Sequence, residues 1–153
     1  MEILDLIDAE IKIEYRIGAL YGRAADKAGL SNPGFVAQLE TLAGEEIGHA
    51  NVLRMGRDFV VEMPDLFSSG IDVGELQGRL QDAERTLGEL WTENDLKALL
   101  TRLLELEKQF ERLHLTQSVL IKDESLKSLF VTLSKGDSGH IDALSGILSQ
   151  LAT

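Results

Sequence analysis

Apolar residues recur at steps of three and four along four stretches of the chain, the spacing that lines one face of an α-helix. Leu4, Ile7, Ile11, Gly18, Tyr21, Ala25 and Ala28 mark the first stretch, and Phe35, Leu39, Leu42, Leu53 and Gly56 the second. Leu96, Leu100, Leu103, Phe110 and Ile121 mark the third, and Leu126, Phe130, Leu133, Leu144, Ile147 and Leu151 the fourth. The pattern predicts helices over about residues 3–28, 33–58, 93–121 and 124–151. Between the first two, "GLSNPGF" supplies the punctuation: Gly29 to close one helix, Ser31 or Asn32 to cap the next, and Pro33 near its first turn. Thr92 and Asp123 are the expected N-caps of the third and fourth helices.

The segment "LSKGDSGHIDAL", residues 133–144, has the composition of a turn. Yet the three–four stepping runs through Asp137 and His140 and keeps its phase on both sides, whereas a turn resets it. One unbroken helix is expected, weakened by Gly136 and Gly139 at about 1 kcal/mol each relative to alanine. That cost points to close packing or a local bend at the two glycines. The span of about residues 60–91 is too long for a hairpin between neighbouring helices, so it reads as a crossover containing a short helix, with Trp91 as its anchor. Two helical hairpins joined by one long crossover between helices 2 and 3 make an all-α four-helix bundle, a single domain over residues 1–153.

Composition narrows the function. The net charge of −11 repels nucleic acid and anionic membranes but welcomes cations. Without cysteine there is no disulfide, no thiolate zinc site and no iron–sulfur centre. The acid-interrupted N-terminus does not read as a secretory signal, and no stretch approaches the roughly 20 apolar residues of a membrane span. A cytoplasmic protein is expected.

Each apolar stripe is broken by residues that belong in water. They are Glu14 on the first helix, Glu46 and His49 on the second, Glu107 on the third, and Asp137 and His140 on the fourth. A buried carboxylate without a partner costs several kcal/mol, so one on every helix calls for a common partner. Counted from the turns near Ser31 and Asp123, all six lie at matched heights in the bundle, given about 1.5 Å of rise per residue. The halves also repeat: Glu46 to Asp137 and His49 to His140 are each 91 residues, and Glu14 to Glu107 is 93. Tyr21 follows Glu14 by seven residues, as His114 follows Glu107.

Four carboxylates and two imidazoles can hold two divalent ions, each acid and histidine at i and i+3 meeting the same ion. Nitrogen and oxygen donors without sulfur suit iron, or manganese, with zinc possible. On the third helix Glu105 and Glu111 compete with Glu107, and only the helical phase selects Glu107; Glu45, beside Glu46, reads as a surface residue. Tyr21 and His114 admit two readings, as ordinary core residues or as groups that hydrogen-bond to ligands and relay electrons.

This constellation resembles the ferritin-like di-iron carboxylate proteins, and among them the rubrerythrin-like group. The resemblance rests on Glu14 with Tyr21, "EEIGH" with Glu46 and His49, "ELEKQFERLH" with Glu107, and "GDSGH" with Asp137 and His140, and it covers nearly the whole chain. It implies a ferritin-like bundle, two iron ions, reduction of peroxide or dioxygen, and a homodimer. A rubredoxin-type domain usually feeds electrons to such a centre; lacking cysteine, this chain would draw them from a separate electron-donor protein or small reductant. Two departures stand out: Phe110 occupies a position where the family often has a further glutamate, and Asp137 replaces the usual glutamate. Iron handling, oxygenation of an organic substrate, and a metal-free bundle acting as an interaction module are the competing expectations.

Overall fold

A computed structural model describes residues 3–63 and 73–152, which form five α-helices. They are α1 (Ile3–Ser31), α2 (Val36–Glu62), α3 (Val73–Leu90), α4 (Leu96–Leu120) and α5 (Glu124–Leu151), with a 3-10 turn at Pro33–Phe35. No strand occurs among the described residues. The middle of the anticipated crossover, residues 64–72, lies outside them.

Sequence spacing placed the four long helices correctly to within a few residues, and the ends differ for local reasons. Gly29 does not stop α1. The helix continues to Ser31, and Asn32 N–H still reaches the carbonyl of Ala28 at 2.6 Å. Asn32 makes no side-chain cap; Pro33, at the first position of the 3-10 turn, turns the chain with its fixed φ. Asp95, not Thr92, caps α4, accepting from Ala98 N–H at 2.8 Å, while Thr92 donates to the carbonyl of Glu89 at the end of α3. Asp123 caps α5 as expected, accepting from Leu126 N–H at 2.9 Å. Trp91, the expected anchor, is 53% exposed; Leu76, Leu80, Leu87 and Leu90 seat α3 in the core. The indole was the largest apolar side chain in the segment, but it falls one residue beyond the last buried position of the leucine row.

Helix α5 runs without a break through Gly136 and Gly139. Only Gly136 has the close neighbour that two helical glycines suggested. A Cβ on Gly136 would sit 2.4 Å from the His49 ring, whereas one on Gly139 would meet nothing within 4 Å.

Helix α1 packs along α2 and α4 along α5, while α1 also touches α4 and α2 touches α5, closing a four-membered ring. The fifth helix, α3, lies against α1 and α4. It explains a second buried row on α1, with Leu6, Ile13, Ile17, Leu20 and Ala24 in the same core cluster as Leu76, Leu80, Ala83 and Leu87. A smaller cluster built around Ile7, Ile11, Leu53, Leu126, Phe130 and Leu133 fills the other end of the bundle. Burial of each such side chain is worth about 1.5–3 kcal/mol. Between the two apolar clusters runs a layer of buried acids and imidazoles. No helix of the described residues is long and apolar enough to cross a membrane.

Candidate metal centre

The six residues singled out in the sequence meet in that layer. Their donor atoms form three overlapping groups, Glu46–His49–His140, Glu14–His49–Asp137 and Glu107–Asp137–His140, with the atoms of each group within 4.8 Å of one another. Glu14, Glu46, Glu107, Asp137 and His140 are almost wholly buried, and the His49 side chain is 12% exposed. Because His49, Asp137 and His140 each belong to two groups, the donors form one continuous cluster.

Local structure builds this cluster. A spacing of three residues turns Glu46 and His49 to one side of α2, their Oε2 and Nδ1 atoms 3.4 Å apart, and does the same for Asp137 and His140 on α5. Gly18 brings α1 close to α2 at this height; a Cβ there would lie 3.3 Å from both Glu46 Cβ and the Ala43 carbonyl. Gly136 makes room on α5 for the ring of His49.

Some donors are already paired. Tyr21 donates to Glu107 Oε1 at 2.5 Å, and His140 Nδ1 lies 3.2 Å from the same oxygen. His114 Nδ1 lies 2.6 Å from Asp137 Oδ2. Tyr21 and His114 are therefore buried core residues that also hydrogen-bond to two candidate ligands, Glu107 and Asp137. Other donors have no hydrogen bond: Glu14 Oε1, both oxygens of Glu46, and His49 Nδ1. Glu46 Oε1 comes within 2.8 Å of His140 Nδ1 but off the axis of the ring N–H, so the pair counts as a close approach and not as a hydrogen bond. Orphaned buried polar atoms cost about 1–3 kcal/mol each, more when charged. Divalent cations would satisfy all of these at once, so the residues present fit a carboxylate- and imidazole-bound metal pair.

The electrostatics agree. Burial, together with the charges of Glu14 and Glu107, pushes the Glu46 carboxyl well above the usual range. Burial also works to raise Glu14, but the adjoining Glu46 carboxyl and the nearby His49 and His114 outweigh it and hold Glu14 at about 2. The pair thus shares one proton, carried on Glu46, as close carboxylates do. Burial raises Asp137 to about 6 against the pull of His114. His114 rises to about 9 because Asp137 overcomes its burial, and His140 to about 9 because Glu107 and Glu45 do. Tyr21, raised by burial and by Glu107, stays a phenol and a donor. Metals entering this layer would displace protons from Glu46 and from His140 Nδ1.

Three further residues belong to the layer. Glu45 is 51% exposed, yet its Oε2 lies 2.7 Å from His140 Nε2. Glu10 is fully buried, with both oxygens lacking a hydrogen bond, and burial lifts its carboxyl to about 7. Gln117, also buried, has an unpartnered Oε1. Glu10 was detectable, since it lies one helical turn before Glu14. Glu45 was not, because a neighbour of a buried residue on a helix normally points about 100° away. At Phe110 the layer is closed by an apolar ring, packed 5.8 Å from His114 between centroids.

Compared with known proteins, the chain matches no family model, no curated protein and no solved structure.

Proposed function

We propose that this protein is a ferritin-like di-iron oxidoreductase of the rubrerythrin-like type, reducing peroxide or dioxygen. The observation that carries the reading is the convergence of four carboxylates and two imidazoles from four helices, with Glu14 Oε1, both Glu46 oxygens and His49 Nδ1 left without a hydrogen bond. The ring of neighbours α1–α2–α5–α4, with α3 in the long connection, supports the ferritin-like topology.

Glu14, Glu46, His49, Glu107, Asp137 and His140 would hold two irons, which would supply one electron each to the bound oxidant. The chain does the rest. The buried carboxylates would offset the metal charge and hold the pair together in a layer that lies between two apolar clusters. Tyr21 fixes the Glu107 carboxylate and His114 fixes Asp137, so these oxygens cannot swing away. His114 beside Asp137 is a protonated group next to the site, able to release a proton toward reduced oxygen. A separate donor protein or small reductant would restore the electrons, and exposed Ile47, Met55 and Phe59 on α2 offer apolar surface to a homodimer.

The test is to load metal-free protein with Fe(II) without oxygen, add peroxide or air, and follow the near-ultraviolet absorption of an oxo-bridged diferric pair. Such a band forming faster with peroxide than with air supports the reading. Continuous consumption of Fe(II) beyond two per chain would replace it with iron handling.

A further inference from the structure

The shift of 91 residues that carries Glu46 onto Asp137 and His49 onto His140 also carries Glu45 onto Gly136. Space repeats what the sequence does. Glu45 on α2 places Oε2 at 2.7 Å from Nε2 of His140 on α5. Gly136 on α5 lies against Nε2 of His49 on α2, so closely that a Cβ would come within 2.4 Å of it. Each helix thus presents, one residue before its acid, the group that faces the outer nitrogen of the other helix's histidine. In one half that group is a carboxylate; in the other it is bare backbone.

The inner nitrogens show no such contrast. Glu46, Glu14 and Asp137 all approach His49 through Nδ1, at 3.4, 3.7 and 3.7 Å. Glu46 and Glu107 approach His140 through Nδ1, at 2.8 and 3.2 Å. Both rings therefore turn Nδ1 to the centre, and they stack with centroids 4.9 Å apart. An imidazole that binds metal through one nitrogen holds its tautomer and orientation by donating the other N–H, and a carboxylate acceptor also makes the ring a stronger donor to the metal.

Resting on the metal-binding reading, we infer that Glu45 is a positioning residue that makes the two metal positions unequal. The ion at His140 binds first and more tightly, and the ion at His49 second and more loosely. Loss of such an outer partner costs about ten- to a hundredfold in metal affinity, and the half-exposed Glu45 belongs at the lower end of that range, since water competes for its oxygens. Glu45 borders an open groove of about 460 Å³ between α2 and α5 and is free of the core, so its replacement leaves the fold in place.

The test is a Co(II) titration of the metal-free protein, read by the visible d–d bands and by calorimetry. Wild-type protein is expected to bind in two steps, their affinities about tenfold or more apart. His49→Ala keeps the tight step and His140→Ala loses it. Glu45→Ala weakens the tight step about tenfold and shifts its band, while Glu45→Gln, which still accepts from Nε2–H, recovers part of the loss. Two steps of equal affinity, or a tight step untouched by Glu45→Ala, overturn the inference while leaving a two-metal site standing. Absence of any Co(II) binding overturns the inference and the metal reading together.

Discussion

Replacing Gly136 by alanine separates the demands of the helix from those of the metal. In a helix interior, glycine to alanine gains about 0.5–1 kcal/mol from backbone entropy alone. For a chain of this size that raises Tm by about 1–4 °C. The added Cβ would nevertheless stand 2.4 Å from His49 Nε2 and 2.9 Å from its Cε1. To regain ordinary contact the ring must retreat about 1 Å, and it can, because the obstacle is the end of a mobile side chain that is 12% exposed. A displacement of that size removes a ligand that must sit within a few tenths of an ångström of its place. Gly136→Ala should therefore leave the metal-free protein as stable as wild type or more so, while lowering the metal content from two ions per chain to one. Thermal unfolding of the metal-free protein and equilibrium metal analysis measure the two quantities on one sample. Two ions bound by Gly136→Ala with wild-type affinity would refute the reasoning, since His49 could not then be a ligand in this pose.

Other outcomes follow from the same geometry. His49→Ala and His140→Ala should each abolish paired iron binding, and two irons per chain in both variants, by metal analysis, would remove them from the site. Tyr21→Phe should lose a buried hydrogen bond to a carboxylate, destabilising the metal-free protein by about 1.5–3 kcal/mol in urea unfolding while two metals still bind. Glu10 gives a pH effect. Its folded pKa of about 7 exceeds the ordinary 4.5, so the folded state holds the proton more strongly and stability falls as pH rises from about 4.5 through about 7. Relative to Glu10→Gln, wild type should lose about 2.5 kcal/mol between pH 5 and 8, and parallel stability profiles would show that Glu10 is not buried as a carboxyl.

The helices were legible because three–four periodicity is imposed by burial itself, and it survived even the two glycines in α5. The convergence of the six residues was legible for the same reason: each breaks an apolar stripe, and the breaks align. What stayed hidden depends on neighbours that local spacing does not specify. Glu45 meets a histidine 95 residues away, across two helices, and nothing in α2 announces that contact. The N-cap of α4 fell to Asp95 over Thr92 because the choice depends on where α3 ends, and an aspartate in extended backbone caps as well as a threonine. Trp91 misled because size suggested burial, whereas the register of the leucine row left it outside.

The central claim is that the buried layer between the two apolar clusters is a two-metal site. Anaerobic equilibrium titration of metal-free protein with Fe(II) tests it most directly. Saturation at two irons per chain, with a rise in Tm as the sites fill, is the predicted result. No saturable binding and an unchanged Tm would contradict it, leaving a bundle whose acids and histidines satisfy only one another.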